Sequence, residues 1–142
     1  MEVTLAVACE YTNATDEGTL NILGVFHELY PPVLPVSLQQ MFLVMSWTAG
    51  PAEFGEEKLV RVSFVDQDNN EKARIEGPIV VPPPIRPGSR SYFDHVVMLA
   101  GLPVETPGEH AFFILVGGEE KRRVPLYVNE PPPEIEGEIE NE

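Results

Sequence analysis

The residues in this chain whose types invite chemistry are an acidic pentapeptide, three histidines, one cysteine and one basic triplet. Asp66-Gln67-Asp68-Asn69-Asn70 sets oxygen donors at alternate positions, as a calcium loop does. Asp66, Asp68 and Asn70 are therefore the candidate metal ligands. The following residues leave the EF-hand pattern: Glu71 stands where the sixth-position glycine belongs, and Gly77 where the bidentate glutamate belongs. A polar hairpin turn accounts for the same residues, because Asp and Asn tolerate left-handed backbone. The expectation here is a turn without a metal.

His27, His95 and His110 fall on distant segments, with no spacing that signals the converging ligands zinc requires. Cys9 closes an apolar run and is followed by Glu10. A catalytic thiol needs a base and an electropositive setting, so Cys9 reads as a packing residue. None of Ser37, Ser46, Ser63, Ser89 and Ser91 sits in a Gly-x-Ser-x-Gly elbow. Walker and Gly-x-Gly-x-x-Gly loops are absent from the sequence. Glu56-Glu57 and Glu119-Glu120 are adjacent pairs, and adjacent strand residues face opposite ways, so neither is an acid–base dyad. The chain is expected to be no enzyme and to hold no cofactor. Lys121-Arg122-Arg123 reads first as the guard of an exposed edge strand. Its second reading is a dock for an acidic segment, screened beyond about 8 Å at physiological salt.

The elements that carry these residues are strands. Val60, Val62 and Phe64 point one way while Arg61 and Ser63 point the other, the alternation of a half-buried strand. The pattern predicts strands at 3–9, 20–25, 41–48, 58–65, 71–76, 91–100, 110–116 and 121–128. The first is apolar at nearly every position, which implies burial on both faces or a covered edge. Thr15-Asp16-Glu17-Gly18 and Gly117-Gly118 read as turns. Pro31-Pro32-Val33-Leu34-Pro35 and Pro82-Pro83-Pro84-Ile85-Arg86-Pro87-Gly88 forbid regular pairing and read as crossovers. The second contains a PxxP pattern, taken as structural. About eight strands with two long crossovers fit an antiparallel β-sandwich better than an up-and-down barrel.

The 142 residues suffice for one domain, placed at 1–129, followed by an acidic tail at 130–142. Six of the 23 acidic residues fall in that tail, and its composition predicts disorder. The net charge of −14 disfavours nucleic acid and anionic membrane surfaces as partners. A lone cysteine forms no internal disulfide, and the N-terminus lacks the features of a signal peptide. A cytoplasmic location is the expectation.

Three stretches together carry a resemblance. Ala8-Cys9-Glu10-Tyr11 runs on to Gly18-Thr19-Leu20-Asn21-Ile22-Leu23-Gly24-Val25-Phe26, then come Gly101-Leu102 and Pro107-Gly108-Glu109-His110-Ala111-Phe112. They resemble a family of small bacterial proteins known only as a domain of unknown function, over roughly residues 4–128. The resemblance implies an immunoglobulin-like β-sandwich and carries no activity or site residues with it. In immunoglobulin-like domains the residue two after the Pro-Gly glycine is commonly a tyrosine whose hydroxyl caps a corner. Here it is His110, whose imidazole can make a similar contact.

The function expected is a non-enzymatic protein-interaction module of a bacterial cytoplasm, acting through crossover loops or by strand addition. Tyr30, Pro31, Pro32, Leu34 and Pro35 form the preferred patch, and Ile135 and Ile139 in the tail are further candidate contacts. The alternative is a self-assembling subunit of an oligomer or phage-like particle, motivated by the apolar first strand. A calcium- or small-ligand-binding sandwich centred on Asp66 is the third reading.

Overall fold

The computed structural model describes residues 1–133. The tail from 134 onward, with Ile135 and Ile139, lies outside the described residues. In chain order the strands are β1 (Glu2–Ala14), β2 (Leu20–Val25), β3 (Glu28–Leu29), β4 (Val36–Ser37), β5 (Met41–Ala49) and β6 (Glu57–Val65). They continue as β7 (Glu71–Val80), β8 (Ser91–Leu99), β9 (Pro103–Val104), β10 (Gly108–Val116) and β11 (Glu119–Val128). A single 3-10 turn, Pro51–Glu53, joins β5 to β6.

Two sheets stack. One has the order β2-β1-β5-β8, the other β3-β11-β10-β6-β7. The connections β5 to β6, β7 to β8 and β8 to β10 each cross from one sheet to the other, as in the immunoglobulin-like sandwich. Every long pairing is antiparallel; β3 adds a two-residue parallel contact to β11. The eight long strands are those of the sequence pattern, and β3, β4 and β9 are two-residue bridges inside its loops.

Packing between the sheets follows the alternation. Leu43, Met45 and Trp47 of β5 meet Val62 and Phe64 of β6, with Phe112 and Ile114 of β10 and Leu126 of β11. Trp47, Phe112, Ile114 and Leu126 are fully buried. An interior of this kind is the main source of stability, at roughly 25 cal/mol per Å² of apolar surface hidden.

Two strand ends differ from the sequence pattern. β1 runs on to Ala14 because its polar half, Glu10–Ala14, pairs with β2 as a hairpin. β7 passes through Gly77 and Pro78 to Val80. It is an edge strand, where a missing proline donor costs the ladder little. The turns behave as read: Gly18, Gly117 and Gly118 have φ of 86°, 57° and 85°, the left-handed region glycine enters without strain. At the Pro-Gly corner His110 is buried and stacks on Phe64 at 5.4 Å. Its Nδ1 lies 3.0 Å from the Gly108 carbonyl, so that nitrogen carries the proton and donates. The histidine thus makes a corner contact in the place where a tyrosine is usual.

Candidate functional site: an apolar outer sheet face

The four-stranded sheet is apolar on its inward side and over part of its outward side. Its inward side chains belong to the core just described. Its outward ones follow from the register, because directly paired residues share a face. One row across all four strands is Val25, Cys9, Phe42 and Met98. The next row of β1, β5 and β8 is Val7, Val44 and Val96. Leu23 pairs with Tyr11 beside the first row, and Tyr11 meets Phe42 edge-on at 6.1 Å.

This face has a buried floor and an exposed rim. Val44 and Cys9 are both 0% exposed, yet neither belongs to the core between the sheets. Around them Leu23 (55%) and Met98 (57%) stand open to solvent, and Tyr92 (69%) does so beyond the Ser46–Asp94 pair. Monomeric proteins seldom expose contiguous apolar areas of this kind without a use for them.

Charge is nearly absent from the same face. None of β1, β2, β5 or β8 contains a lysine or arginine. Asp94 accepts a hydrogen bond from Ser46 Oγ at 2.7 Å. At the rim Glu2 is held by Lys121 Nζ at 3.1 Å, and Arg90 Nε donates to Thr48 Oγ1 at 3.1 Å. The outer face of the other sheet is different. Arg61 sits opposite Glu76 there, Ser63 opposite Arg74, and Arg123 lies over the Phe113 ring at 4.2 Å. The contrast between the faces is a property of the sequence and not of the architecture.

Sheet edges show the same asymmetry. β7 is guarded by Lys72, Arg74 and Pro78, and β11 by Lys121, Arg122, Arg123 and Pro125. β2 is six residues long and kinks at Gly24, whose φ is 68°. β8 is nine residues long, ends its sheet, and has no lysine, arginine, proline or glycine.

The sequence candidates fall elsewhere. Asp66 is committed to its turn: its Oδ1 accepts from the N–H groups of Asp68 and Asn70, each at 2.9 Å. The Asn70 N–H foremost, then that of Asp68, the Asn70 amide and Lys72, hold the carboxyl below its ordinary range against partial desolvation. Asn69 takes the left-handed conformation at φ 63°, as a hairpin turn needs. Asp68 and Asn70 are exposed beside it, and among the described residues no group of three acids, histidines or cysteines is placed to hold a metal.

His27 and His110 line one open groove of about 410 Å³ with Asp66 and Arg123. His110 is tied to its corner through Nδ1 and Asp66 to its turn through Oδ1. His95 points inward from β8, and burial lowers its pKa. Cys9 lies beneath the apolar face; burial raises its thiol pKa, opposed by the Tyr11 backbone hydrogen bond, which leaves an inert thiol. The basic triplet is engaged at home: Lys121 by Glu2, Arg122 by the Val3 carbonyl at 3.1 Å, and Arg123 by Glu120 at 2.8 Å.

The loop patch is part exposed and part packed. Tyr30 is 75% exposed and Pro32 and Pro35 are exposed, but Pro31 is buried and Leu34 packs on the core. The sequence signal for the sheet face was double-sided apolarity. In β8, Tyr92, Val96 and Met98 alternate with Phe93, Val97 and Leu99, so both faces read as core.

A model for a family of unknown function, DUF6941, matches residues 4–129. No curated protein matches the sequence. Among solved structures, two crystal structures of a glycosyl hydrolase family 2 member from Bacteroides cellulosilyticus share 9% identity. The TM-scores are 0.37 and 0.34, over 66% and 63% of this chain. This chain spans 14% and 12% of their length. Likeness at that level says nothing of activity.

Proposed function

The chain belongs to the family DUF6941, and from that premise we propose that it is a non-enzymatic protein-interaction module, working in a bacterial cytoplasm through the outer face of its four-stranded sheet. The observation that carries this reading is an apolar patch on that face, floored by Val44 and Cys9, on four strands that contain no lysine or arginine. Interface centres are poor in charge and rich in aromatic residues and methionine, and this face offers Tyr11, Phe42, Tyr92 and Met98. Cys9, a free and buried thiol, supports the cytoplasmic part of the reading. Among the described residues no helix is long and apolar enough to cross a membrane.

The test is co-purification with the tagged full chain from the cells that produce it. Leu23→Glu and Met98→Glu place charge on the face at positions already more than half exposed, so folding is retained. Leu59→Glu makes the same change at a 47% exposed residue of β6 outside it. A bound species lost with the first two and kept with the third supports the reading. One kept by all three places binding elsewhere and overturns it.

Strand addition at β8 is a second reading, favoured by that unguarded nine-residue edge. It orders edge amides, whereas face packing does not, so hydrogen exchange over β8 separates the two.

A further inference from the structure

We infer that the occupant of the apolar sheet face is a second copy of this chain, packed face to face about a two-fold axis. The inference rests on the interaction reading above and names its partner.

Charge argues first. A partner chosen by charge needs charges to read, and specificity in mixed interfaces is commonly built from complementary potentials. This face presents Asp94, already bonded to Ser46, and the rim residue Glu2, bonded to Lys121. Its strands carry no cation, and the guanidinium that reaches it from the flanking loop, Arg90, is engaged by Thr48 Oγ1 at 3.1 Å at one end. The Glu-rich segment of this chain beyond residue 130 is therefore a poor occupant. Nucleic acid and anionic lipid are disfavoured by the net charge of −14. The apolar patch of Val7, Cys9, Val44, Val96 and Met98 matched against itself buries no charge, with Asp94 left at its margin, and a two-fold contact needs only self-complementarity.

Area argues second. Four strands about 4.8 Å apart, nine residues long in β5 and β8 at about 3.3 Å per residue, give a face of roughly 500 Å². Two such faces hide about 1,000 Å², the lower end for a specific contact. The dimer is therefore a weak and dynamic one, as contacts at that end of the size range are.

Salt dependence has a fixed sign. Each copy carries a net charge of −14, so like-charge repulsion opposes pairing. Screening weakens that repulsion. The homodimer tightens as salt rises, whereas a complex with a basic protein loosens.

Sedimentation velocity on the full chain, from about 1 to about 500 µM, tests this directly. The expected result is a reversible monomer–dimer equilibrium, stronger at high salt. Leu23→Glu and Met98→Glu each weaken it by about 30-fold or more, because every substitution appears twice across the two-fold. Tyr92→Glu is a further variant at an exposed face position, and Leu59→Glu leaves the equilibrium unchanged. A monomer at every concentration overturns the inference. If co-purification of another protein still depends on the face, the interaction reading survives that failure; if it does not, both fall. A dimer indifferent to the face variants also overturns the inference. If it protects the β8 amides from exchange, it pairs through the strand edge.

Discussion

Leu43 and Val44 are neighbours in β5, both fully buried, and their side chains leave the sheet on opposite sides. Leu43 enters the core between the sheets, while Val44 lies under the outer face, flanked by Val7 and Val96. Truncating each to alanine should therefore cost different amounts for a reason beyond side-chain size. Leu43→Ala opens a cavity whose walls are fixed by two sheets, and such changes cost about 3–5 kcal/mol. Val44→Ala removes two methyl groups, about 1.5 kcal/mol at roughly 0.8 kcal/mol each. Its roof is a set of half-exposed side chains that can settle into the gap, so the cavity term is small. Urea unfolding followed by far-ultraviolet circular dichroism at about 0.5 µM, too dilute for a weak dimer, reads the monomer. A Val44→Ala cost near 3 kcal/mol under those conditions would refute the reasoning, because it requires a rigid cover on that face within a single chain. At high protein concentration the cost should grow, since the second copy then supplies the cover.

Gly108 holds φ of 123°, and a Cβ there would land on the Gln67 carboxamide. Gln67 can swing aside but the backbone cannot relax, so Gly108→Ala should cost about 1–3 kcal/mol in urea unfolding. His95 is kept neutral by burial, so its folded pKa lies below that of the unfolded chain. The unfolded chain then binds more protons, and stability falls as pH drops below about 6.5, ahead of the carboxylates. His95→Leu should flatten thermal stability between about pH 7 and pH 5; an unchanged slope refutes the assignment. Asp66→Ala should lower Tm by freeing the turn, and calcium should leave the Tm of the natural chain unmoved. A calcium-dependent rise lost in Asp66→Ala would restore the metal reading.

Strand positions were legible because half-burial writes a period of two into the sequence. Val60, Val62 and Phe64 against Arg61 and Ser63 locate β6 and its core face without ambiguity. Proline and glycine gave the crossovers and turns for the same kind of local reason. The site was not legible in the same way. Apolar residues on both faces of a strand state that both faces are covered, not what covers them. Val44 and Leu43 look alike in sequence, and only the register of β5 with β1 and β8 separates core from outer face. Tyr30 and the prolines drew attention as an apolar loop, but Pro31 and Leu34 are spent on packing. Asp66 carries a ligand-type oxygen, Oδ1, whose lone pairs the backbone N–H groups of Asp68 and Asn70 in its own turn already use.

The central claim is that the outer face of the β2-β1-β5-β8 sheet is the surface at which this protein meets its partner. Its most direct measurement is site-specific photocrosslinking in producing cells, with a photoreactive residue at Met98 and, as the comparison, at Leu59. Crosslinks at Met98 and none at Leu59 are the expected result, and the mass of the adduct identifies a second copy or another protein. Equal crosslinking at both positions, or none at Met98, would contradict the claim.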